Sequence, residues 1–430
     1  MTAGRQVLII AVGLGLTIVI ARLLGPTGNG LYALAMLLPT MLATFLNFGI
    51  APANVYFVGR REVSLRTAFR ATMFLWVTLS AFGCVLAAII IEFAHDAWFH
   101  GVPTPLLWLA VVSFPVTMLL SLIAGLLQAI EDFSAYNRVM LAAPLATFVL
   151  SLIAVWVLRL GVVGALVAAV IGSASGLSAA YAVLKPRVDI EPRTPGSYGR
   201  RCLSYGWKAQ LSNVLSFFNY RADVLLLNYF LNPAAAGIYM IAVKIAEQLW
   251  LIPGAVNTVI LPRLSAMHRE EEKRRFLTPF IARWLLVLSA CGAVVLVAVG
   301  KPLIGILFGR AYAAAAPALL WLLPGVVLGG SAKVLANDIA ARGRPDVNLI
   351  VAALVVAVNI SGNIVLIPKY GIVGASMATT LSYGLHSIIT LAIYSRMSGN
   401  GWIASLLLTR NDWILLRGAA HALIGTWRAA

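Results

Sequence analysis

The feature that most limits how this chain can fold is a series of twelve long windows almost empty of charge. They fall at about residues 6–24, 29–58, 68–92, 105–130, 137–158 and 161–184, then 205–231, 236–262, 278–299, 314–340, 347–367 and 371–395. A helix needs about 20 apolar residues to cross a hydrocarbon layer roughly 30 Å thick, and the longer windows predict tilted or kinked spans. Pro39, Gly49 and Pro52 cluster in the second window and Pro253 with Gly254 in the eighth. Such breaks are tolerated where neighbouring helices or cavity water satisfy the freed backbone groups. Hydrophobic residues make up 61% of the chain and charged residues 11%, with a mean hydropathy of +0.92. The expectation is an all-α polytopic membrane protein with about 12 transmembrane helices and little room for a soluble domain.

The net charge of +17 invites a nucleic-acid reading, but the basic residues sit in short connections between windows and form no basic domain or aromatic-basic surface. Inner-face loops of membrane proteins are enriched in Lys and Arg. Placing both termini inside assigns 23 basic residues to one face and 5 to the other (Arg22, Arg159, Lys301, Arg310 and Lys369). The expected topology therefore has the N-terminus and the C-terminus in the cytoplasm. Arg5 alone precedes the first apolar run. That run reads as an uncleaved first helix, and the short lead-in suggests residues upstream. Cys84, Cys202 and Cys291 are widely separated and form no CxxC, so they read as free thiols.

The chain repeats itself. Leu24, Pro26, Gly30, Tyr32 and Ala35 recur as Leu231, Pro233, Gly237, Tyr239 and Ala242, an offset of 207, and LGVVGALVA at 160–168 recurs as YGIVGASMA at 370–378, an offset of 210. Two matched blocks in the same order point to a duplicated six-helix unit whose halves share one orientation. The expected organisation is an N-terminal six-helix lobe at 1–184, a polar, Pro-rich cytoplasmic linker at 185–204, a C-terminal six-helix lobe at 205–397 and an amphipathic cytoplasmic tail at 398–430. The run HREEEKRR at 268–275 reads as a solvated connection.

Catalytic signatures are missing. The chain contains no GxxxxGK[ST], HExxH or GxSxG, its five histidines are scattered, and its fifteen acidic residues form no Asp-rich cluster in a window. No enzyme activity, metal or cofactor is expected. What remains is charge at membrane depth: Arg22 at the end of the first window, Arg221 and Asp223 in the seventh, Lys244 and Glu247 in the eighth, Lys333 in the tenth. Counted from the Asn232–Gly237 turn, the four charges of windows seven and eight lie roughly 10–16 Å deep at about 1.5 Å per residue. An ionised group there costs on the order of 3 kcal/mol if it faces lipid. Two readings follow. These charges are cross-helix pairs that fix packing, or they line a wet cavity in which Arg22, Arg221, Lys244 and Lys333 hold an anionic substrate while Asp223 and Glu247 pair with them or exchange a coupling ion. Lys244 and Glu247 can pair as i,i+3 neighbours, whereas Lys333 and Arg22 are placed so that snorkelling competes with a cavity role. Asn54, Tyr220, Asn257, Asn359 and Asn363 are polar positions that serve equally as bundle glue.

Taken together, IARLLGPTGNGLYALA, YRADVLLLNYFLNPAAAGIYMIAVKIAE followed by VILPRLSA, NISGNIVLIPKYGIVGASMAT and the closing LLLTRNDW resemble the polysaccharide transporter family, the oligosaccharide flippases related to the MATE exporters and the lipid II flippases. The resemblance runs along essentially the whole chain. It implies two six-helix lobes around a central cationic cavity that opens to the two sides in turn. The implied cargo is an oligosaccharide on undecaprenyl diphosphate, carried to the outer leaflet of a bacterial inner membrane for exopolysaccharide, capsule or O-antigen synthesis. A proton or sodium gradient, or the membrane potential, is the implied driving force. Polysaccharide polymerase and export proteins are the implied partners, besides membrane lipids; no nucleic acid is involved. Arg22 matches the family's A-R-x-x-G, Arg221 and Asp223 its R-x-D, and Lys244 its G-x-Y-x-x-A-x-K. The runner-up readings are a MATE-like exporter of small molecules, which would prefer an acidic cavity, and a lipid II-type flippase. A membrane glycosyltransferase would need catalytic carboxylates and long outer loops that this chain lacks.

Overall fold

Every regular element in the computed structural model is helical among the described residues, which are 2–185, 198–267, 270–408 and 412. In chain order the helices are α1 (Thr2–Leu46), α2 (Ile50–Gly59), α3 (Leu65–Phe93), α4 (His95–Trp98), α5 (Thr104–Val111), α6 (Ser113–Ala129), α7 (Phe133–Ser151), α8 (Gly161–Leu184), α9 (Tyr198–Phe230), α10 (Pro233–Glu247), α11 (Leu251–Ala266), α12 (Glu271–Leu307), α13 (Ala315–Ala341), α14 (Pro345–Ser398) and α15 (Trp402–Leu406).

Nine helical segments of the described residues are long and apolar enough to cross a bilayer by length and composition. Two of them hold two spans each. Gly25, at φ 67°, breaks α1 immediately before Pro26, and Gly371, at φ 59°, breaks α14. Only glycine takes this left-handed backbone without steric cost, and the following residue can then start a new helix. The polar α9 supplies the twelfth span, so all twelve charge-poor windows are helical. The second repeat block carries the same device at both of its copies: Gly161 at φ 62° and Gly371 at φ 59°. Twelve residues of the expected linker, 186–197, lie outside the described residues, and from Tyr198 onward its remainder forms the first turns of α9. Of the expected amphipathic tail, 409–411 and 413–430 lie outside them as well.

The helices pack as two compact units. The first holds the described residues of Met1–Ile241 with Leu303–Ala315 and Ile367–Ile372; the second holds those of Ala242–Pro302, Ala316–Leu366 and Val373–Ala430. In the first unit, Gly172 and Gly176 on α8 lie directly against Thr147 and Ala143 of α7, where a Cβ would overlap them. Small residues one turn apart let two backbones approach closely, which is how helices associate when lipid supplies no hydrophobic drive between them. The first repeat blocks meet reciprocally in this unit. A Cβ on Gly30 would overlap the Pro233 carbonyl, and one on Gly237 would overlap the Pro26 carbonyl and lie 2.7 Å from the Gly30 nitrogen. Pro26 and Pro233, like Gly30 and Gly237, are counterparts at the offset of 207. Asn29, buried beside them, donates its amide to the Gly237 carbonyl at 2.9 Å.

In the second unit Ala282, Leu285, Val334, Leu335, Ile339, Leu391 and Tyr394 form an apolar core between α12, α13 and α14. At its edge sits a charged knot. Asp338, fully buried, accepts from Arg274 Nε at 3.1 Å, Thr278 Oγ1 at 2.6 Å and Arg342 Nε at 2.5 Å, and Arg342 also reaches Glu271 at 2.7 Å. Arg274 is only 3% exposed, so the stretch expected to be a solvated connection enters a helix at Glu271 and sends one of its arginines inward. Asp412, in the tail, is fully buried and accepts from Arg283 Nη2 of α12 at 2.6 Å.

Between α3 and α5 the connection folds back on itself. His95 bonds the Asp96 carboxylate through Nδ1 at 2.9 Å and the Val102 carbonyl through Nε2 at 2.7 Å. Both partners are acceptors in this arrangement, so only the imidazolium, with two N–H groups, donates to both. The Val102 carbonyl first and the Asp96 carboxylate second accordingly raise the His95 pKa above its ordinary value. Asn228 of α9 donates to the carbonyls of Trp98 at 3.3 Å and His100 at 3.1 Å, docking the same connection from the other side.

Two outcomes follow. Replacing Asp338 with leucine strands the buried guanidinium of Arg274, takes one of two carboxylate partners from Arg342 and is expected to cost about 3–5 kcal/mol, read as a lowered thermal midpoint of the detergent-solubilised protein. Adding Arg274→Met should restore part of the loss; an unchanged midpoint for the single variant would mean that the knot bears no stability. Because the His95 pKa is raised in the folded state, its contribution is present in full below the unfolded value near 6.5 and fades as pH rises through the higher folded value. Amide exchange in residues 94–103 should therefore quicken from pH 6 to 8 relative to the surrounding helices, and His95→Gln should remove that dependence. Equal pH dependence in both proteins contradicts it.

Candidate functional site

The charges at membrane depth are not required by the architecture, and the repeat supplies the comparison. At the offset of 207, Arg221 corresponds to Leu14, Asp223 to Leu16, Lys244 to Leu37 and Glu247 to Thr40. The first copy thus builds the same pair of helices with apolar or hydroxyl side chains where the second copy places four ions. Tyr32 and its counterpart Tyr239 show the consequence. Tyr32 packs with Leu16 and Leu24 against the apolar cluster of Ile20, Val155 and Ala165. Tyr239, wholly buried, instead donates its hydroxyl to Asp223 Oδ2 at 2.5 Å. Asp223 is itself 3% exposed, and its Oδ1 accepts from the Val224 amide at 2.8 Å.

In the first unit the remaining expected residues have backbone partners. Arg221 is half-buried and its Nη1 donates to the Tyr220 carbonyl at 3.2 Å. Arg22 lies on the exposed side of α1 just before the Gly25 break; its Nε donates to the Leu307 carbonyl at 2.8 Å, and its Nη2 to that of Ile306. These are the last carbonyls of α12, which lack helical partners and carry the negative end of the helix dipole. A cation placed there caps the helix.

The second unit gathers the other three. Lys244 Nζ lies 3.9 Å from Glu247, both partly exposed on one face of α10. Lys333 of α13 sits with Nζ 3.4 Å from the centre of the Trp250 ring, and Glu247 is near enough for its charge to act on Lys333. An ammonium over an indole face gains about 0.5–2 kcal/mol from the ring quadrupole. The indole is held in turn: its Nε1 donates to the Val326 carbonyl at 2.8 Å, and its ring meets Tyr383 at 5.4 Å between centroids. His386, half-buried on α14, feels the charge of Lys333. Two cations, one carboxylate, an imidazole and an aromatic platform thus converge from α10, the turn that joins it to α11, α13 and α14. Chemically the group can bind an anion through Lys244 and Lys333 and exchange a proton through Glu247 or His386.

Trp250 and His386 carry no signal in the sequence beyond their residue type, because their partners lie on other helices: Lys333 is 83 positions from Trp250 and 53 from His386. The asparagines divide differently. Asn54 bonds Thr72 and Tyr198 at 2.9 and 2.7 Å, and Asn359 donates to Ser382 at 3.1 Å, so these two hold helices together, while Asn363 donates to Asn359 at 3.1 Å one turn back on the same helix. Asn257 has a side chain outside the described set. No group of three or more His, Cys, Asp or Glu side chains that could hold a metal ion occurs among the described residues.

Comparison with known proteins places this geometry. Residues 19–317 match the family model described as "Polysaccharide biosynthesis protein". Among curated proteins the chain is similar to the probable low-salt glycan biosynthesis flippase Agl15 of Haloferax volcanii, 24% identical over 49% of this chain and 47% of that protein. It is likewise similar to the probable flippase AglR of the same organism, 29% identical over 44% and 40%, and to the capsular polysaccharide biosynthesis protein CapF of Staphylococcus aureus, 26% identical over 34% and 38%. The matched stretches thus span less than half the length of these relatives. Among solved structures the fold is similar to the lipid II flippase MurJ in an inward closed conformation, with a TM-score of 0.75 and 15% identity over 90% of this chain and 86% of that one. An inward-facing multidrug resistance MATE family transporter of the MOP superfamily has a TM-score of 0.71 at 14% identity, over 90% and 94%. A multi-pass membrane protein with this fold, matched by the family model over most of its length, belongs to the polysaccharide biosynthesis protein family.

Proposed function

We propose that the protein is a flippase, a secondary transporter that moves an oligosaccharide linked to undecaprenyl diphosphate across a bacterial inner membrane by alternating access. Both termini lie in the cytoplasm in this reading, as the distribution of basic residues favours, and the chain performs no covalent chemistry. The observation that carries the proposal is the placement of ions at membrane depth in the second repeat copy where the first has Leu14, Leu16, Leu37 and Thr40. Groups so costly in hydrocarbon are retained for what they do. Relatives named as flippases of glycan biosynthesis support the cargo class.

The chemistry fits a lipid-linked diphosphate. Its tail stays in lipid, and its anionic head needs charge-assisted hydrogen bonds in a site with little water. Lys244 and Lys333 supply ammonium donors, and Arg221 and Arg22 add guanidinium groups in the reading that makes all four substrate-binding. Asp223 and Glu247 serve as charge partners or as the carboxylates through which a proton or sodium gradient acts; the membrane potential is the alternative drive. Polymerase and export proteins of the same polysaccharide system are the expected partners.

The test is reconstitution into vesicles without ATP, following the leaflet of a fluorescent polyprenyl-diphosphate oligosaccharide. The protein should flip it, and Lys244→Ala with Lys333→Ala should slow it roughly 10- to 100-fold or more, since a single hydrogen bond to a charged group is worth about 1.5–3 kcal/mol. Asp223→Asn should leave exchange between leaflets intact while abolishing its response to an imposed gradient. A protein that moves no diphosphate-linked lipid under any gradient is not this flippase. Export of small organic cations instead would favour the MATE-like alternative.

A further inference from the structure

The first unit contains a cavity that the proposed cation chemistry leaves unused. Its volume is about 430 Å³, within the range of about 300–1,000 Å³ typical of small-molecule sites, and it lies between α1, α6 and α9. None of its described lining residues carries a charge; hydroxyl and amide groups alternate with Met36, Pro39, Ala43 and Met118. The lining is periodic. Thr40 and Thr44 share one face of α1 as i,i+4 neighbours, as do Ser113, Thr117 and Ser121 on α6, while Gln210 and Asn213 are i,i+3 on α9.

The direction of the hydrogen bonds decides what this lining can hold. Thr40 donates its hydroxyl proton to the Met36 carbonyl at 2.7 Å, Thr44 to that of Thr40 at 2.8 Å, Ser113 to that of Ala110 at 2.7 Å and Thr117 to that of Ser113 at 2.8 Å. Gln210 donates to the Thr44 carbonyl, and Asn213 donates to Gln210 Oε1 at 3.3 Å. The hydroxyl protons of Thr40, Thr44, Ser113 and Thr117 are directed back into the protein and their lone pairs remain, while Ser121 and the amides of Asn47, Gln210 and Asn213 keep a smaller number of donors. Asn47 adds a carbonyl oxygen, Oδ1, that is buried and has no hydrogen-bond partner among the described residues. The cavity is therefore uncharged and rich in acceptors, and its complement is a neutral molecule rich in donors. A phosphate, which only accepts, is a poor match. A lone metal cation is no better served, since no carboxylate is among the lining residues and their oxygens spread over three helices.

We propose that this cavity is a subsite for the neutral sugar residues of the cargo, read through their hydroxyl and acetamido N–H donors. The inference rests on the flippase reading and deepens it: the diphosphate would be held by cations and the glycan by a separate, neutral lining. Thr40→Val and Thr117→Val remove two acceptors while keeping side-chain shape. Transport in vesicles is measured for two cargoes on the same polyprenyl diphosphate, one bearing the oligosaccharide and one bearing no sugar. The double variant should raise the KM for the glycosylated lipid roughly thirtyfold, at about 1 kcal/mol for each of two lost bonds, and leave the sugar-free lipid unchanged. Saturation-transfer NMR of the free oligosaccharide with the detergent-solubilised protein gives a readout independent of transport: signals with the unsubstituted protein, lost in the double variant at an unchanged thermal midpoint. Equal slowing of both cargoes, or no slowing of either, together with unaltered oligosaccharide signals overturns the subsite. If the unsubstituted protein moves neither lipid yet binds the free oligosaccharide through Thr40 and Thr117, the flippase reading fails and the sugar site stands. Oligosaccharide signals displaced by phosphatidylglycerol assign the cavity to a lipid headgroup and also overturn the proposal.

Discussion

An ionised side chain at membrane depth cannot be left without a partner, and the design of this protein follows from where it accepts that requirement. Over most of its length it avoids the problem with windows that are almost empty of charge. Where charges do enter the helices, each described case is tied to something specific: Arg274 to Asp338, Arg283 to Asp412, Lys244 to Glu247, Lys333 to an indole face, Asp223 to a tyrosine hydroxyl. The first two are closed knots at 2.6–3.1 Å between groups at most 6% exposed. Such pairs hold helix ends and a tail segment in register, and desolvation leaves them little capacity to exchange partners. Lys244 and Glu247 differ, being looser at 3.9 Å and still a quarter to a third exposed. Separation and exposure thus distinguish closed, buried ion pairs from looser, partly exposed ones, which charge alone does not.

The repeat sharpens the same distinction. Gly30 and Gly237, with Pro26 and Pro233, touch one another across equivalent positions, the pattern made by two copies of one motif related by an approximate two-fold. Glycine is needed at both sites because backbone meets backbone there. This contact is a requirement of packing, and both copies meet it with the same residues. The ions do not obey the repeat, since Leu14, Leu16, Leu37 and Thr40 stand where Arg221, Asp223, Lys244 and Glu247 would be expected. A position that both copies keep reports on architecture. One that only a single copy charges reports on something the architecture does not ask for.

The limits of sequence reading follow the same division between local and distant interactions. Span positions were legible because hydropathy is a property of each window by itself; the breaks at Gly25 and Gly371 fall where one window gives way to the next, and a left-handed residue before a new helix favours glycine. The loop of α1 into α2 at Gly49 and the turn at Asn232, whose side chain caps the Ala235 amide at 2.9 Å, belong to the same local class. The inward turn of Arg274 was not legible. In a run such as HREEEKRR nothing distinguishes the residue that meets a buried aspartate 64 positions later. Asp412 falls in the stretch expected to be an amphipathic tail, where nothing marks it out, yet its partner lies 129 positions back. Trp250 and His386 were missed for the same reason, as their roles depend on Lys333.

The neutral cavity and the cationic cluster differ in a way that bears on how one carrier could serve a cargo of two parts. Cations attract any phosphate with similar strength, so a site made of lysines alone would hold every polyprenyl diphosphate and select none. Hydroxyl and amide acceptors contribute less per contact but depend on where each donor sits, because a mismatched buried acceptor costs its full desolvation. Thr40, which corresponds to the charged Glu247 of the second copy, lines the neutral cavity in the first. One duplicated position has thereby become an ion in one copy and a neutral acceptor in the other. On the proposed reading of the cargo, divergence of that kind would let affinity for a diphosphate and discrimination among glycans be adjusted by separate substitutions, since a change at Thr40 leaves the charge at Glu247 untouched.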